Sequence, residues 1–222
     1  MSEVRVIEIN QNVFAQNDEA ADLVRGMLTE KGITFINLMS GPGSGKTTFL
    51  SAMINRLKKD LRIAEMDVDI ASTMDAQRVA DHTGVRSLQI HNGGLCHIDA
   101  DMTMRAITEF GVDDIDLLIL ENIGNLVCPA EFDTGAHLNM MLLSVPEGDD
   151  KPLKYPLMFQ VSDVVFITKM DTAPVFNFSF ETVKERILAL NPNAVVLPVS
   201  AKTGLGMDEA EAEIRRRIQN RK

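Results

Sequence analysis

Two cysteines in 222 residues cannot build the disulfide framework of a small secreted domain. A single disulfide is compatible with that count. The plainer expectation is a reducing, cytoplasmic compartment. Tryptophan is absent and aromatics make up 5% of the chain, so the 45% hydrophobic content is mainly aliphatic. No apolar run is long enough to span a bilayer, and the opening MSEVRVIEIN lacks the charged-then-apolar pattern of a secretory signal. A cationic surplus is missing too. The net charge of −10 argues against non-specific nucleic-acid binding, which needs clustered Lys and Arg. Neither a membrane nor a nucleic acid is expected as a partner. The sequence also lacks repeats, low-complexity stretches and a convincing linker, and its length suits one large domain with a real core. One domain over 1–222 is expected: an extension with a helix at 1–32, then a core at 33–222.

What is present alternates. Apolar, β-rich runs at 33–39, 62–68, 85–90, 115–121, 163–169 and 194–200 read as strands. Helical spacing occupies 17–32, 47–61, 72–84 (with Ser72 or Thr73 near its N-cap), 97–111, 180–192 and 206–222. The strands are continuously apolar, which suits burial on both faces. Strands alternating with helices predict an α/β fold: a mostly parallel sheet with helices on both faces.

SGPGSGKTT, Ser40 to Thr48, stands between a strand and a helix. Its glycines, Gly41, Gly43 and Gly45, let backbone N–H groups turn inward around phosphate oxygens, as in a P-loop. Ser44 and Thr48 belong to the same loop, Lys46 is placed to reach the β- and γ-phosphates, and Thr47 to ligate Mg²⁺. The helix N-terminus adds a favourable dipole. The usual pattern begins with Gly, and Ser40 holds that place. A later strand ends in ITKMD, where Asp171 matches the carboxylate that accepts two guanine hydrogens in GTPases. Thr168 stands there for the usual Asn, with Lys169 following. The next strand ends in Ser200, Ala201 and Lys202, where GTPases place a second guanine loop, so GTP and GDP are favoured over adenine nucleotides. LLILENIGN resembles a Walker-B and switch segment, with Glu121 for Mg²⁺ and Gly124 for the γ-phosphate. Asp69 and Asp75 are candidates for Mg²⁺ or the attacking water, with capping and solvation as the plain alternative. Lys46, Asp69, Asp75 and Glu121 form the candidate catalytic set.

The two cysteines sit in NGGLCHIDAD and NLVCPAEFD, both on loops after strands. Cys96 next to His97 is open to three readings: a buried structural thiol, a nucleophile with its base, or a metal ligand pair. Thiolate and imidazole suit Zn²⁺ and Ni²⁺. His82, His91 and His137 are expected at surfaces or in polar contacts, with His91 or His137 as less favoured additions to a metal site.

GPGSGKTT, GGLCHIDA, ENIGNLVCPAEFD, SVPEGDDKPLKYP and TKMD together resemble the HypB family of hydrogenase nickel-insertion GTPases, from about Gly32 onward. The related UreG GTPases of urease share the P-loop region but not NLVCPA. The resemblance implies a GTP-dependent homodimer that binds nickel or zinc through Cys96, His97 and Cys128. It also implies two partners, a hydrogenase large-subunit precursor and another nickel chaperone such as HypA. Lys151 or Lys154, in the segment resembling the family's dimer region, is a candidate to cross to a partner's nucleotide, against a solvated basic loop. The N-terminus has neither the cysteine cluster nor the histidine run of some members. Metal function therefore falls on the nucleotide-binding domain, and suits delivery rather than storage. Competing readings are delivery to another nickel enzyme such as urease, a regulatory GTPase with structural cysteines, and a small-molecule kinase.

Overall fold

The computed structural model describes residues 10–69 and 74–221. Helix α1, Asn10–Glu30, leads into β1, Thr34–Ser40, and then α2, Lys46–Leu57. There follow β2 (Ile63–Val68), α3 (Met74–Thr83), β3 (Arg86–Ile90), α4 (Ala100–Phe110) and β4 (Leu117–Gly124). The short α5, Cys128–Glu131, precedes β5, Leu138–Ser144. Next come α6 (Lys151–Lys154), α7 (Pro156–Gln160), β6 (Val164–Thr168), α8 (Phe180–Leu190), β7 (Val195–Pro198) and α9 (Met207–Gln219).

The seven strands form one parallel sheet in the order β3-β2-β4-β1-β5-β6-β7. All strands therefore point the same way, and the loops leaving them gather at one edge. Every residue of β1, β2 and β6 is buried, as strands covered on both faces must be. Alternation divides β1 between the faces. Ile36 and Leu38 pack with Phe49, Met53 and Ile54 of α2 and Ile214 of α9. Phe35 packs with Val24 and Leu28 of α1 and Ile107 of α4. Further along the sheet, Phe159 of α7 and Val183 and Ile187 of α8 cover Val165 and Ile167. Among the described residues no helix is long and apolar enough to cross a membrane.

The six expected strands and six expected helices are present with shifted ends. The 72–84 helix begins at Met74, and its proposed caps Ser72 and Thr73 lie outside the described residues. The helix expected at 17–32 begins at Asn10. A seventh strand, β5, was not expected. Its LNMMLLS has no β-branched residue, and Met and Leu favour helix locally, so pairing with β1 and β6 overrides propensity. The KPLKYP segment, for which a solvated basic loop is the alternative to a dimer region, is helical, in α6 and the start of α7.

His137 ties α1 to the sheet. Its Nδ1 accepts the Phe35 N–H at 2.9 Å, and its Nε2 lies 3.2 Å from the Arg25 carbonyl and 3.0 Å from Thr29 Oγ1. Both ring nitrogens are used, so it does not join the cysteines. Burial, with Arg221 nearby, lowers its pKa to about 4. The folded state thus favours neutral His137, while the unfolded chain takes up a proton near pH 6.5. Stability should fall as pH drops from about 6.5 towards 4. Urea denaturation at pH 7 and pH 5 should show a larger loss for wild type than for His137→Gln. Equal losses would remove His137 from the account.

Candidate functional site

The P-loop spans the turn from β1 to α2. Gly45, the N-cap of α2, has φ 93°, and Gly43 has φ 73°, so both take left-handed backbone that favours glycine. Gly41 is needed for space instead: a Cβ there would run into Glu147 Oε1. Glu147 is itself held by the Ser144 N–H at 2.8 Å and the Ser144 hydroxyl at 2.7 Å. Ser40, the departure from the usual pattern, is fully buried and organises the loop. Its Oγ accepts from Lys46 Nζ at 2.9 Å and from the Ser44 hydroxyl at 2.6 Å, and donates to the Gly41 carbonyl at 2.8 Å.

The ITKMD segment meets this loop. Thr168 Oγ1 donates to the Ser44 carbonyl at 2.8 Å, so the hydroxyl tethers β6 to the P-loop. Lys169 is the one non-glycine with positive φ, 57°, among the described residues, and its Nζ donates to the Gly43 carbonyl at 2.7 Å. Such strained backbone persists where the surroundings enforce it. The Ser200 hydroxyl donates to Asp171 Oδ1 at 2.7 Å and so orients that carboxylate. Asp171, Ser200, Ala201 and Lys202 line a cavity of about 250 Å³ together with Gly45 and Thr48 of the P-loop.

On the other side, Thr47 Oγ1 donates to Glu121 Oε1 at 3.3 Å. Glu121 stands with Glu65 and Asp67 of β2, one ligand atom from each lying within 4.8 Å of the others. All three are at most 3% exposed. Glu65 and Asp67 are not among the candidates of the sequence analysis, although acids at alternate positions of a buried strand are the available signal. Of the expected acids, Asp69 is half-buried just past β2, and the side chain of Asp75 lies outside the described residues. Gly124 ends β4 against the P-loop, opposite Ser40. Lys151 lines a cavity of about 420 Å³ with Pro42, Gly124, Asn125 and Glu147, beside the P-loop. Lys154 is instead paired with Asp150 at 2.5 Å, the N-cap residue of α6.

The cysteines meet. Cys96 Sγ lies 2.8 Å from Cys128 Sγ and 3.9 Å from His97 Nδ1. Both are free thiols, Cys96 exposed and Cys128 half-buried. The hydrogen bond with Cys96, and then burial, hold the Cys128 thiol above the ordinary cysteine range. Asn92 shapes the first loop, its amide donating to the carbonyls of Leu95 at 2.9 Å and His97 at 2.7 Å. Phe132, not singled out in the sequence, stacks on the His97 ring at 3.8 Å and 7°. Asn17 of α1 joins the two loops, accepting from the Ala100 N–H at 2.9 Å and donating to the Asp133 carbonyl at 2.9 Å. His82 is exposed at the end of α3, and His91 borders a groove with Leu88, Met102 and Arg105.

A phosphate loop, a parallel sheet and strand ends gathered around one cleft define a P-loop nucleoside-triphosphate-binding protein, and residues 34–198 match the CobW/HypB/UreG nucleotide-binding domain. Within that group the chain belongs to the HypB family of hydrogenase maturation factors. It is 39% identical to the hydrogenase maturation factor HypB of Rhizobium leguminosarum bv. viciae over 208 residues, 94% of this chain and 69% of that protein. The crystal structure of Helicobacter pylori HypB in complex with nickel shares 38% identity, with a TM-score of 0.86, covering 92% of this chain and 96% of that one. HypB from Archaeoglobus fulgidus shares 35% identity with a TM-score of 0.84, covering 92% and 99%.

Proposed function

We propose that this chain hydrolyses GTP and uses the nucleotide state to hold and release nickel, or zinc, for insertion into a hydrogenase large-subunit precursor. The observation that carries the reading is the meeting of Cys96 and Cys128, with His97 beside Cys96, on the loops after β3 and β4, the latter running on from Glu121 and Gly124. A thiol kept for packing would be buried, and Cys96 is exposed. Thiolate and imidazole suit Ni²⁺ and Zn²⁺. Two thiolates on one tetrahedral zinc stand about 3.8 Å apart, so the 2.8 Å pair opens by about an ångström to take the cargo. One chain supplies three such ligands and closed zinc sites prefer four. A GTP-dependent homodimer, with a second nickel chaperone such as HypA as donor or acceptor, completes the set.

In hydrolysis, water attacks the γ-phosphorus, the bond to the β-phosphate oxygen breaks, and GDP and inorganic phosphate leave. Lys46 exchanges Ser40 Oγ for the β- and γ-phosphate oxygens. The Gly124 N–H meets the γ-phosphate, and Asp171, set by Ser200, accepts the two guanine hydrogens. The hard oxygen donors Thr47, Glu121, Asp67 and Glu65 fit Mg²⁺, with Asp69 and Asp75 as outlying candidates. Bound there, Mg²⁺ supplies neutralisation of phosphate charge. Lys151, beside the P-loop mouth, is the better placed of the two lysines to reach a partner's nucleotide. Loss of the γ-phosphate frees the segment from Gly124 to Cys128 and so alters the metal pair. A reducing cytoplasm keeps both thiols available.

Asp171→Asn should shift preference from GTP to xanthosine triphosphate in competition binding, because an amide donates to the xanthine O2. Unchanged preference would show that Asp171 does not read the base. Cys96→Ala and Cys128→Ala should each weaken Ni²⁺ and Zn²⁺ binding by roughly tenfold or more in equilibrium dialysis. Binding unchanged in both would end the metallochaperone reading.

A further inference from the structure

Strand β4 carries one residue more than β1 where the site is built. Leu38 pairs with Glu121, yet Ser40, two residues on, pairs with Gly124, three residues on. The extra residue is a bulge, a device that is rare between parallel strands and that re-aims side chains. Strands alternate faces, so a one-residue slip reverses everything beyond it. Ile119 packs on the α2 face, and Leu118 and Leu120 pack on the α1 and α4 face. Plain alternation would put Ile123 on the side of Ile119 and Glu121. It packs instead with Leu118 and Leu120. The bulge thus keeps Glu121 with Glu65 and Asp67, sends Ile123 into the opposite core, and still brings Gly124 to Ser40. A Cβ on Gly124 would lie 3.3 Å from Pro42 Cα and 3.5 Å from Lys46 Nζ, so its backbone rests on the P-loop.

One amide holds the surplus residue. Asn122 is 1% exposed, and its Oδ1 accepts the Ile123 N–H at 2.8 Å. Its Nδ2 donates to Asn37 Oδ1 at 2.9 Å, and Asn37 Nδ2 donates to Asn139 Oδ1 at 3.0 Å. The Asn139 N–H donates to Asp163 Oδ2 at 2.8 Å. Side-chain amides thus run across β4, β1 and β5, with Asn37 2% exposed at the centre. By alternation Asn122 points away from the face of Glu121. It acts on the site through the backbone of β4.

We propose that Asn122 is a positioning residue of the switch strand. Its amide, braced by Asn37, fixes the bulge that lets Glu121 and Gly124 both address the triphosphate. This rests on the nucleotide-hydrolysing reading above. The bulge is the local conformation through which γ-phosphate contact at Gly124 acts on Glu121 and on the chain running to Cys128.

The test is Asn122→Ala in the full chain. In nucleotide-free protein, hydrogen exchange at the Ile123 and Gly124 amides should rise at least about tenfold, with α8 amides unchanged. GTP turnover should fall about tenfold or more in kcat, while GDP affinity stays within about threefold, since misplaced groups cost the chemical step first. Asn37→Ala breaks the same chain from β1 and should give the same split, and the double variant should be no worse than the worse single. If Asn122→Ala does not fold, Asn37→Ala and the half-buried Asn139→Ala carry the same comparison. Unchanged exchange and kcat, or equal losses of GDP and GTP binding, would overturn the proposal. Should wild type itself fail to turn over GTP, the proposed function fails, and the exchange comparison still decides the role of Asn122.

Discussion

The parallel pairing of β1 with β4, from Thr34 with Leu117 to Leu38 with Glu121, places the P-loop beside the strand that carries the acidic site. Both strands are buried, so neither can slide without moving core residues to the wrong face. From that pairing follow the 3.3 Å contact of Thr47 with Glu121 and the approach of Gly124 to Lys46. β2 adds Glu65 and Asp67 because it pairs with β4 on the other side, Asp67 opposite Glu121. Three carboxylates at this depth repel one another and lose hydration, an arrangement that invites a divalent cation and does little for stability.

The central strands also carry amides where an all-apolar sheet would be simpler. A buried amide left unpaired costs about 1–3 kcal/mol. The Asn122–Asn37–Asn139 chain avoids that cost by mutual pairing, and obtains a fixed bulge in return. The same strand then runs through Leu126 and Val127 to Cys128. A thiol and the glycine that rests on the P-loop, four residues apart, share one segment of backbone. That short path is what the proposed link between nucleotide state and metal geometry rests on.

Much of this was legible in the sequence because loop chemistry is local. Gly43, Gly45 and Lys46 announced a phosphate loop, and Asp171 with Ser200, read as the base side, do line one cavity with that loop. The family resemblance joined Cys96 and Cys128 across 32 residues, and the two thiols do meet, with His97 beside Cys96; spacing alone leaves three readings open. What stayed hidden depends on tertiary context. Strand β5 has helix-favouring Met and Leu and becomes a strand between two neighbours. Glu65 and Asp67 lie within a strand, and only pairing with β4 brings Glu121 beside them. Phe132 acts on His97 only through a stacking contact that folding creates, and the bulge at Asn122 appears only when two registers are compared.

The central claim is that nucleotide state and metal site are linked. The most direct measurement is Ni²⁺ affinity of the wild-type chain by equilibrium dialysis, saturated with GDP or with a non-hydrolysable GTP analogue. Linkage predicts affinities differing by about fivefold or more, with metal altering the preference between the two nucleotides by the same factor. Equal Ni²⁺ affinity and stoichiometry in the two states would contradict the account.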